Sequence, residues 1–374
     1  MMGVIGTVLA FVVVLVILVL VHELGHFVAA KLSGITVQEF GIGFPPRIAS
    51  ITWHGTRYSI NAVPLGGFVK MLGEDGEGDA ERLRGRGLSP AAVERAMAGA
   101  FNRKPIWLRV VVLVAGVAMN FVLAVVLFAG VAGQPRPNQV GPLTISVIQQ
   151  GSPAKEKGLR VGDRIVAADG QSFGGRSIEL TQYIASRAGQ VVTLGVDRGG
   201  QRLEIKLEPR VLDDAARAEG KGPVGIEWTS QDGPPLASNL LDAIGKGFDA
   251  AATIAVQIPG ALGHTVLGLI GVVPNTGEAR GPIGIAQVTG EVLQHSLADQ
   301  LFFVGLLSVN LAVLNVLPFP PLDGGRVAVV LLEAVRRRKL PAEREALIYL
   351  TGFLVLITLV ILISIQDIAR LPGS

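Results

Sequence analysis

The chain of 374 residues contains no cysteine, so disulfide bonds and thiolate metal ligands are both excluded. Any bound metal ion must therefore be held by nitrogen and oxygen ligands. Charged residues are also scarce, at 17% of the chain, and the net charge is only +3. So small a charge gives no electrostatic support for a nucleic-acid partner.

Apolar residues make up 49% of the chain, which indicates a polytopic membrane protein with a soluble insert. The first apolar run, residues 3–21, has no charged side chain, and Thr7 is its only polar side chain. Its length predicts a membrane-spanning helix. No Lys or Arg precedes this run and no A-x-A site follows it, so we expect it not to be a cleaved signal peptide.

Directly after this run stands His22-Glu23-Leu24-Gly25-His26, an H-E-x-x-H pattern. On a helix the two histidines lie one turn apart on the same face, where both imidazoles can bind one zinc ion. The glutamate between them can then act as the general base toward the attacking water. The alternative is structural: the three polar side chains cap a helix end at the membrane interface.

Basic residues distinguish the two sides of the membrane. The loop at 33–105 and the segment 336–339 are rich in Arg and Lys, whereas the N-terminal tail has none. The positive-inside rule therefore places the loop in the cytoplasm and both chain termini outside. We predict about four transmembrane helices, at 3–32, 106–133, 301–317 with a continuation at 327–335, and 347–365.

The cytoplasmic loop contains two short segments with strand character, at 37–51 and 53–69. Their glycine and proline clusters favour a β-hairpin region associated with the membrane, and a plain cytoplasmic hairpin is the alternative. Residues 74–97 are charged and glycine-rich and are expected to be a mobile segment. In the second span, at 106–133, Asn120 is interpreted as a contact between helices rather than as a catalytic group.

Residues 134–235 change to strand-like alternation, at 143–148, 191–197 and 202–207. Ser152 can cap a one-turn helix that begins at Pro153 and ends at Gly158, and 177–187 predicts a second helix. The G-S-P-A…G-L…G-D run resembles PDZ domains of the bacterial, protease-associated kind. That resemblance implies an inserted extracytoplasmic α+β domain that binds a peptide by strand addition; a rigid spacer or a plug over the membrane site is the alternative.

The rest of the chain divides into three parts. Residues 236–299 are apolar but interrupted by charges, and we interpret them as amphipathic helices on the outer membrane surface, with a further span as the less favoured alternative. Residues 300–340 are a broken third span, because the proline cluster at 318–321 ends one helix before another resumes. Residues 341–374 hold the fourth span and the C-terminus.

A catalytic zinc site needs three protein ligands, and the H-E-x-x-H pattern supplies two, His22 and His26. Asp323 is the only carboxylate in the break of the third span, and a broken helix at membrane depth is tolerated where it lines a cavity. The charge asymmetry independently places all three residues toward the cytoplasmic side. We therefore predict His22, His26 and Asp323 as ligands of a zinc ion.

Together these features resemble the site-2 protease family of intramembrane zinc metalloproteases, in the bacterial branch that performs regulated intramembrane proteolysis. The resemblance covers most of the chain, although the insert has room for one PDZ domain where the best-known enterobacterial relative has two. The matching segments are the H-E-x-x-H at 22–26, the Gly-x-Gly hairpin at 41–44, the run at 64–70, the pair at 101–102, the PDZ insert, 281–284 and 315–325.

The resemblance implies the same zinc ligands, His22, His26 and Asp323, and the same role of Glu23 as general base. It also implies a substrate site. Asn315 is implied to hold the substrate or the developing oxyanion. The hairpin, through Gly41, Gly43 and Phe44, is implied to pair with the unwound substrate as an added strand. A transmembrane helix hides its peptide bonds in its own hydrogen bonds, so it must be unwound before water can attack.

The implied substrates are single-span membrane proteins, such as anti-sigma factors already cut by a site-1 protease, and leftover signal peptides. The implied location is the bacterial inner membrane, with the active site near the cytoplasmic face. Two other classes of protein fit parts of the pattern. A transporter that uses the intramembrane His, Glu and Asp for ions predicts inverted repeats, and none is visible. A zinc-free PDZ scaffold anchored in the membrane has no need of Glu23.

Overall fold

The computed structural model describes residues 3–74, 78–85, 87, 89–174, 177–212, 222–236, 239–269, 271–273, 280–338 and 340–369. The chain divides into two compact units. The membrane unit comprises Met1–Gly133 and Asn239–Ser374, and the insert comprises Gln134–Ser238.

Helices dominate the membrane unit, and strands dominate the insert. Before the insert come α1 (Val4–Leu32), β1 (Val37–Trp53), β2 (Thr56–Met71), α2 (Gly78–Gly85), α3 (Pro90–Met97) and α4 (Ile106–Ala132). The insert contains β3 (Arg136–Ile148), α5 (Pro153–Glu156), β4 (Arg164–Ala168), α6 (Ser177–Ser186), β5 (Val192–Arg198), β6 (Gln201–Leu207) and β7 (Ile226–Leu236). After it come α7 (Leu240–Leu269), α8 (Pro282–Val292), α9 (Leu297–Val316), α10 (Asp323–Arg336) and α11 (Ala342–Ala369).

Five helices among the described residues are long and apolar enough to cross a membrane: α1, α4, α7, α9 and α11. All except α7 overlap the four predicted spans. In α1 the buried residues recur every three or four positions and so form one stripe, consisting of Leu18, His22, Gly25, His26 and Ala30. The other faces of α1 are apolar as well, and a helix that is apolar all round is typical of a membrane span.

Helix α4 is the element that joins the other helices of the site. It runs antiparallel to α1, because His22 lies near Asn120 and His26 lies near Val112. It also holds α9, since the hydroxyl of Ser308 donates a hydrogen bond of 2.8 Å to the backbone carbonyl of Asn120. Helices α1 and α9 are therefore both positioned by α4.

The stretch predicted to form amphipathic helices, 236–299, contains α7 and α8, and α7 is one continuous helix of 30 residues. Ala251 of α7 belongs to a buried cluster that α4 and α9 complete with Phe128 and Val309. Two of the charges that suggested an interfacial helix, Asp242 and Lys246, instead pair with each other one turn apart at 2.7 Å on an exposed face. Because those charges compensate each other locally, the apolar face of α7 is free to pack along α4.

The loop after α1 folds as a hairpin whose strands have 17 and 16 residues and nearly coincide with the segments predicted at 37–51 and 53–69. Its tight turn is His54-Gly55, and both residues have the positive φ that two-residue hairpin turns favour. Both strands bend midway, so β2 pairs with β1 twice. Gly41 faces Phe68 on one side and Ser59 on the other. The first half of β1 is therefore an inner strand of a small sheet.

The segment predicted to be mobile, 74–97, contains the short helices α2 and α3. Helix α3 begins at Pro90 behind the cap residue Ser89, whose side chain accepts the Ala92 N–H at 3.3 Å. One face of α3 is buried against Leu72 and Ala100 through Val93 and Met97. The glycines and charges around this apolar i, i+4 pair concealed it in the sequence pattern.

The insert is a five-stranded antiparallel sheet in the order β6-β5-β4-β3-β7, together with α5 and α6. The predicted one-turn helix is confirmed: Ser152 accepts the Lys155 N–H at 3.3 Å, Pro153 is the first helical residue, and Gly158 has a φ of 79°. The buried core comes from the strands and α6 and includes Leu143, Ile145, Leu180, Leu194 and Val196.

Candidate metal centre

Two histidines on α1 and one aspartate at the start of α10 meet at one point of the membrane unit. The His22 Nε2 lies 2.8 Å from Asp323 Oδ2 and 3.1 Å from the His26 Nε2. The His26 Nε2 lies 3.2 Å from the same carboxylate oxygen. These side chains are 9%, 13% and 8% exposed for His22, Asp323 and His26. The structure thus brings together the three residues that the sequence predicts as ligands.

Asp323 reaches the histidines because the chain turns between α9 and α10. Pro318, Pro320 and Pro321 lack a backbone N–H and cannot continue a helix, so α9 ends at Val316. Helix α10 begins at Asp323, four residues before the predicted restart. The carboxylate consequently lies in the first turn of a helix, where the helix dipole favours a negative charge.

A close contact between α1 and α4 sets the position of His26. A Cβ added at Gly25 would lie 2.9 Å from the Gly116 Cα, and one added at Gly116 would lie 2.8 Å from the His26 Cδ2. Any larger residue at either position must push the helices apart. The two glycines therefore let the imidazole of His26 lie directly against the backbone of α4.

Helix α4 also holds the nitrogens that face away from Asp323. The His26 Nδ1 lies 2.8 Å from the carbonyl oxygen of Val112, and a carbonyl can only accept, so Nδ1 carries a proton and donates it. In a neutral imidazole this leaves the lone pair on Nε2, the atom that faces the other two ligands. The His22 Nδ1 lies 3.2 Å from the Asn120 Nδ2.

The donor set fits zinc. Zinc binds histidine nitrogen and carboxylate oxygen at about 2.0–2.2 Å in a tetrahedral arrangement, which places neighbouring ligand atoms about 3.3–3.6 Å apart. The three separations in this site run from 2.8 to 3.2 Å. Two imidazoles and one carboxylate are also the kind of ligand set that catalytic zinc sites use, with the fourth position left for water.

Glu23 lies on α1 beside two of the candidate ligands, His22 and His26, and also approaches the hairpin. It is half-buried on α1, and its Cγ lies 3.6 Å from the position that a Cβ on Gly67 of β2 would occupy. It is also near enough to His26, His22 and Asp323 to interact with them electrostatically. A carboxylate in this place can accept a proton from a water held at the ligands.

Asn315 lies in the last turn of α9, where its Nδ2 donates to the Leu311 carbonyl at 3.0 Å. Together with Asp323 it lines a cavity of about 230 Å³. The other lining residues are apolar and come from α4, α9, α10 and the turn before α10. This cavity can take an aliphatic side chain next to Asp323.

The three hairpin residues predicted to bind substrate are not equivalent in the structure. Gly41 is paired with Phe68 on one side and with Ser59 on the other, so both edges of its backbone are already used in this structure. The Gly43 carbonyl accepts from the Asn61 Nδ2 at 3.0 Å. Phe44 pairs with Val63, and its ring, 44% exposed, stacks on Phe68.

A free strand edge lies beside α1, in the second half of β2. Residues 67–71 pair with 37–42 on one side, and no other strand in the described part of the chain pairs with their opposite side. Gly67 packs on α1, with Leu20 and Glu23 as its neighbours. The signal in the sequence was the pair Gly66-Gly67, because glycine in a strand often marks a close approach of another backbone.

One ion pair near the site went unpredicted. Arg326, one turn after Asp323 on α10, donates to the carboxylate of Glu74, which follows β2. Glu74 also accepts the Met71 N–H at 3.0 Å. The pair therefore ties the start of α10 to the end of the free edge. No sequence spacing indicates it, since the two residues are 252 positions apart.

A second buried acid, Glu39, organises the hairpin. Its carboxylate accepts hydrogen bonds from Ser59 at 2.7 Å and from Arg47 at 2.9 Å, and Arg57 lies 3.6 Å away. Burial opposes the ionisation of Glu39, but these bonds and charges outweigh it and hold its pKa below the usual value. Glu39 is thus a structural carboxylate of the inner strand.

Two histidines and a carboxylate around one point, a glutamate beside them and several long apolar helices define a membrane-embedded metallohydrolase. Comparison with protein families makes this class specific. The chain belongs to peptidase family M50, the site-2 protease family, whose model matches residues 10–359. It is therefore a zinc metalloprotease.

Relatives from several bacteria match the chain over almost its whole length. A protein of Clostridium perfringens, named as a candidate zinc metalloprotease, is 33% identical over 94% of this chain and 95% of its own length. Similarly named proteins of Nostoc and Agrobacterium fabrum are 32% and 29% identical; each match covers 98% of this chain, with 96% and 97% of the relative.

Solved structures match only part of the chain. The PDZ domain of an SdrC-like protein from Listeria monocytogenes covers 23% of this chain and 86% of its own, at 24% identity and a TM-score of 0.20. Its counterpart from Listeria innocua covers 24% and 97%, at 26% identity and a TM-score of 0.21. These TM-scores are too low for a fold to be inferred from the matches.

Proposed function

We propose that this protease cleaves the transmembrane segments of single-span membrane proteins inside the bilayer. The observation that carries the proposal is the meeting of His22, His26 and Asp323 among apolar helices, with Glu23 beside them. Ionisable groups in membrane helices are costly and are usually kept for function. A peptidase site at this depth acts on peptide bonds that soluble proteases cannot reach.

His22, His26 and Asp323 are the proposed ligands, and zinc bound to them supplies a Lewis acid for the reaction. Glu23 takes the proton from the attacking water and returns it to the leaving nitrogen of the peptide bond. Asn315, which lines the cavity beside Asp323, holds the substrate or stabilises the negative charge that develops on the carbonyl oxygen.

The free edge at residues 67–71 is the proposed place where the substrate is held as a strand. The peptide bonds inside a transmembrane helix are hydrogen-bonded within that helix, so it must be unwound before they can be attacked. An open strand edge offers unwound substrate the hydrogen bonds that it loses. Support for this place comes from Gly67, which packs beside Glu23. Gly43 and Phe44 are proposed to contact the substrate beside this edge, since the ring of Phe44 stacks on Phe68.

The proposed biological role is regulated intramembrane proteolysis in the bacterial inner membrane. Substrates of this kind are anti-sigma factors that a site-1 protease has already shortened, and leftover signal peptides. Both are single apolar segments with little attached on one side, which suits a site enclosed by helices. The lipid bilayer is the remaining partner, since it presents the substrate.

The proposed topology has four complete crossings with both termini outside. Support comes from α8, which lies near the start of α1 and the end of α11. A Cβ added at Gly290 would lie 3.0 Å from the Thr7 Cβ. The carboxylate of Asp367 accepts the N–H groups of Gly281 and Gly284, at 3.1 and 2.8 Å. The start of α1, the end of α11 and α8 therefore share one membrane surface.

Helix α7 does not add a crossing in this proposal. It begins beside the end of α4, where a Cβ on Gly133 would lie 3.7 Å from the Ala243 Cβ. Since α4 is antiparallel to α1, this is the same surface that α8 occupies. The chain thus leaves one surface at the start of α7 and is back at it by residue 281.

The orientation can be tested with a single cysteine, because the chain has none of its own. Ser172 is exposed in the insert. We expect a Ser172→Cys variant to be labelled in intact cells by a thiol reagent that cannot cross the inner membrane. A cysteine on the cytoplasmic loop, at Arg95, is the matched control and should react only after lysis. The reverse pattern would invert the topology.

The insert is proposed to be a PDZ domain that admits substrates by size. Support for the class comes from its antiparallel sheet with one single-turn helix and one longer helix. None of the proposed ligands and bases lies in the insert. A variant that replaces residues 140–228 by a short linker should still cut a shortened substrate, and it should begin to cut one with a folded external domain. Loss of cutting with zinc content retained would instead favour a PDZ that must bind a peptide.

The central experiment uses the full-length protein in liposomes with a single-span substrate. We expect mass spectrometry of the products to locate the cut within the apolar segment. The Glu23→Gln variant is the matched control, because it changes one atom of one side chain. Cleavage outside the apolar segment, or cleavage by the variant at the wild-type rate, would contradict the proposal.

A further inference from the structure

Asn120 is fully buried in the middle of α4, and the sequence alone indicated only a contact between helices. Its backbone carbonyl does serve such a contact, since it accepts the Ser308 hydroxyl at 2.8 Å. Its side chain has a different neighbour: the Asn120 Nδ2 lies 3.2 Å from the His22 Nδ1. The Asn120 Oδ1 is buried and has no hydrogen-bond partner among the described residues.

The contact with His22 bears on which ring nitrogen carries the proton. The His22 Nε2 faces Asp323 and His26, so it is the atom that can bind zinc. Binding needs the lone pair on Nε2, and a neutral imidazole then carries its proton on Nδ1. That Nδ1–H must donate to an acceptor, and an amide NH₂ cannot accept.

The amide of Asn120 can supply the acceptor by turning over. The oxygen and nitrogen of a terminal amide have nearly the same size, and they exchange places when the group rotates by about 180°. In the turned orientation the unpaired Oδ1 faces the His22 Nδ1. His26 shows the same arrangement with a backbone group, because its Nδ1 donates to the Val112 carbonyl at 2.8 Å.

We propose that Asn120 is a positioning residue for the metal centre: its Oδ1 accepts the Nδ1–H of His22 and holds the Nε2 lone pair toward zinc. Helix α4 then fixes both histidine ligands, one through its backbone and the other through Asn120. Partners of this kind keep a ligand in one tautomer and one orientation, and removing them typically weakens metal binding about 10- to 100-fold. This inference rests on the proposed ligand role of His22.

The test measures zinc affinity of the full-length protein in detergent, by competition with a chelator. We expect Asn120→Leu to raise the zinc Kd by about 10- to 100-fold. Asn120→Asp restores an acceptor and should bring the Kd back close to wild type. Cobalt in place of zinc gives a second readout, because its visible spectrum reports the ligand geometry. That spectrum should change in Asn120→Leu and recover in Asn120→Asp.

Ser308→Ala is the matched control, since it breaks the other hydrogen bond at Asn120 and leaves the amide in place. It should lower the Tm of the metal-free protein without changing the zinc Kd. If Asn120→Leu does not fold, Asn120→Ala removes the amide without added bulk and is measured in its place. Wild-type zinc affinity in a folded variant without the amide would overturn the inference.

Two further outcomes separate this inference from the ligand assignment beneath it. His22→Ala should weaken zinc binding more than any change at Asn120. An unchanged Kd in His22→Ala would remove His22 from the ligand set and the inference with it. A weakened Kd in His22→Ala, combined with unchanged affinity in the Asn120 variants, would overturn the role of Asn120 alone. So would an Asn120→Asp variant with the wild-type metal-free Tm and the weak affinity of Asn120→Leu.

Discussion

Asp163 of the insert and Asp323 of the membrane unit are both largely shielded from solvent, but they meet opposite kinds of partner. Asp163 of the insert is 1% exposed and receives two hydrogen bonds of 2.7 Å from the guanidinium of Arg198. The N–H of Arg160 adds a third, at 2.8 Å. Asp323 of the membrane unit instead places one oxygen near the Nε2 atoms of two imidazoles.

The partner of such a carboxylate, and not its burial, decides what the carboxylate does. A guanidinium always carries its charge and offers only donors, so the charge of Asp163 is compensated within the chain. An imidazole has a lone pair to give, and two of them beside a carboxylate can share a metal ion. Asp163 is therefore part of the fold, whereas Asp323 is available for chemistry.

The largest effect on zinc content and activity is expected at Asp323. We expect Asp323→Ala to lose both zinc and peptidase activity, because two histidines alone leave the metal under-coordinated. Asp367 provides a matched control in the same unit: it is buried, but the partners of its carboxylate are backbone N–H groups at the start of α8. Asp367→Asn should keep its zinc. Elemental analysis of the purified proteins decides, and equal metal content in wild type and Asp323→Ala would show that another group is the third ligand.

The second effect, at Glu23, distinguishes metal binding from catalysis. Glu23→Gln should retain zinc, since the three ligands are untouched, and should lower turnover by about 10²- to 10⁴-fold, the usual contribution of a general base. Metal content and cleavage of a single-span substrate are measured on the same preparation. Turnover close to wild type would remove Glu23 from the reaction.

The meeting of the three proposed ligands could be predicted from the sequence, because the signals for it are local. His22 and His26 are one helical turn apart, and Asp323 follows a proline cluster that breaks an apolar helix. The pairing of Gly41 on both sides could not be predicted, because it depends on how two bent strands meet. The ion pair of Arg326 with Glu74 was hidden for the same reason, since only the folded chain brings these residues together.

The helices, too, could be predicted only where the sequence pattern does not depend on contacts with other elements. The pattern of α1 is uniform, and its prediction needed no knowledge of its neighbours. Helix α7 contains both apolar and charged residues. Two of its charges, Asp242 and Lys246, indicated a surface helix in the sequence, and in the structure they pair with each other. Its place along α4 follows from packing with Phe128 and Val309, which sequence periodicity does not contain.

The close packing of His26 against α4 can be tested at Gly116. We expect Gly116→Ala to weaken zinc binding by about tenfold or more, because the added Cβ would lie 2.8 Å from the His26 Cδ2 and displace a ligand. Gly130→Ala on the same helix is the matched control, since its Cβ would meet Leu301 at an ordinary 3.5 Å. Equal zinc affinities of the two variants would mean that α1 and α4 separate at no cost to the site.

The smallest effect on activity is expected at Asp163, where only the fold of the insert is at stake. Asp163→Asn loses the charge that Arg198 recognises, and this should lower the stability of the insert by about 1.5–3 kcal/mol, the range for hydrogen bonds to a charged group. Zinc content should stay at the wild-type level. The exposed Glu204 on β6 is the matched control, and Glu204→Gln should change neither quantity. Pulse proteolysis of the full-length protein in urea measures the stability of the insert.

The pH dependence of that stability gives the sharper test. The hydrogen bonds from Arg198 hold the pKa of Asp163 below its unfolded value of about 3.9, against the opposing effect of burial. A lowered folded pKa means that the stabilisation is complete above the unfolded value and is lost as the pH falls through the folded value. Wild type and Asp163→Asn should therefore differ fully at pH 7, and their stabilities should converge as the pH falls below about 4. A difference that stays constant down to the lowest pH at which wild type remains folded would show that Asp163 acts through its shape and not its charge.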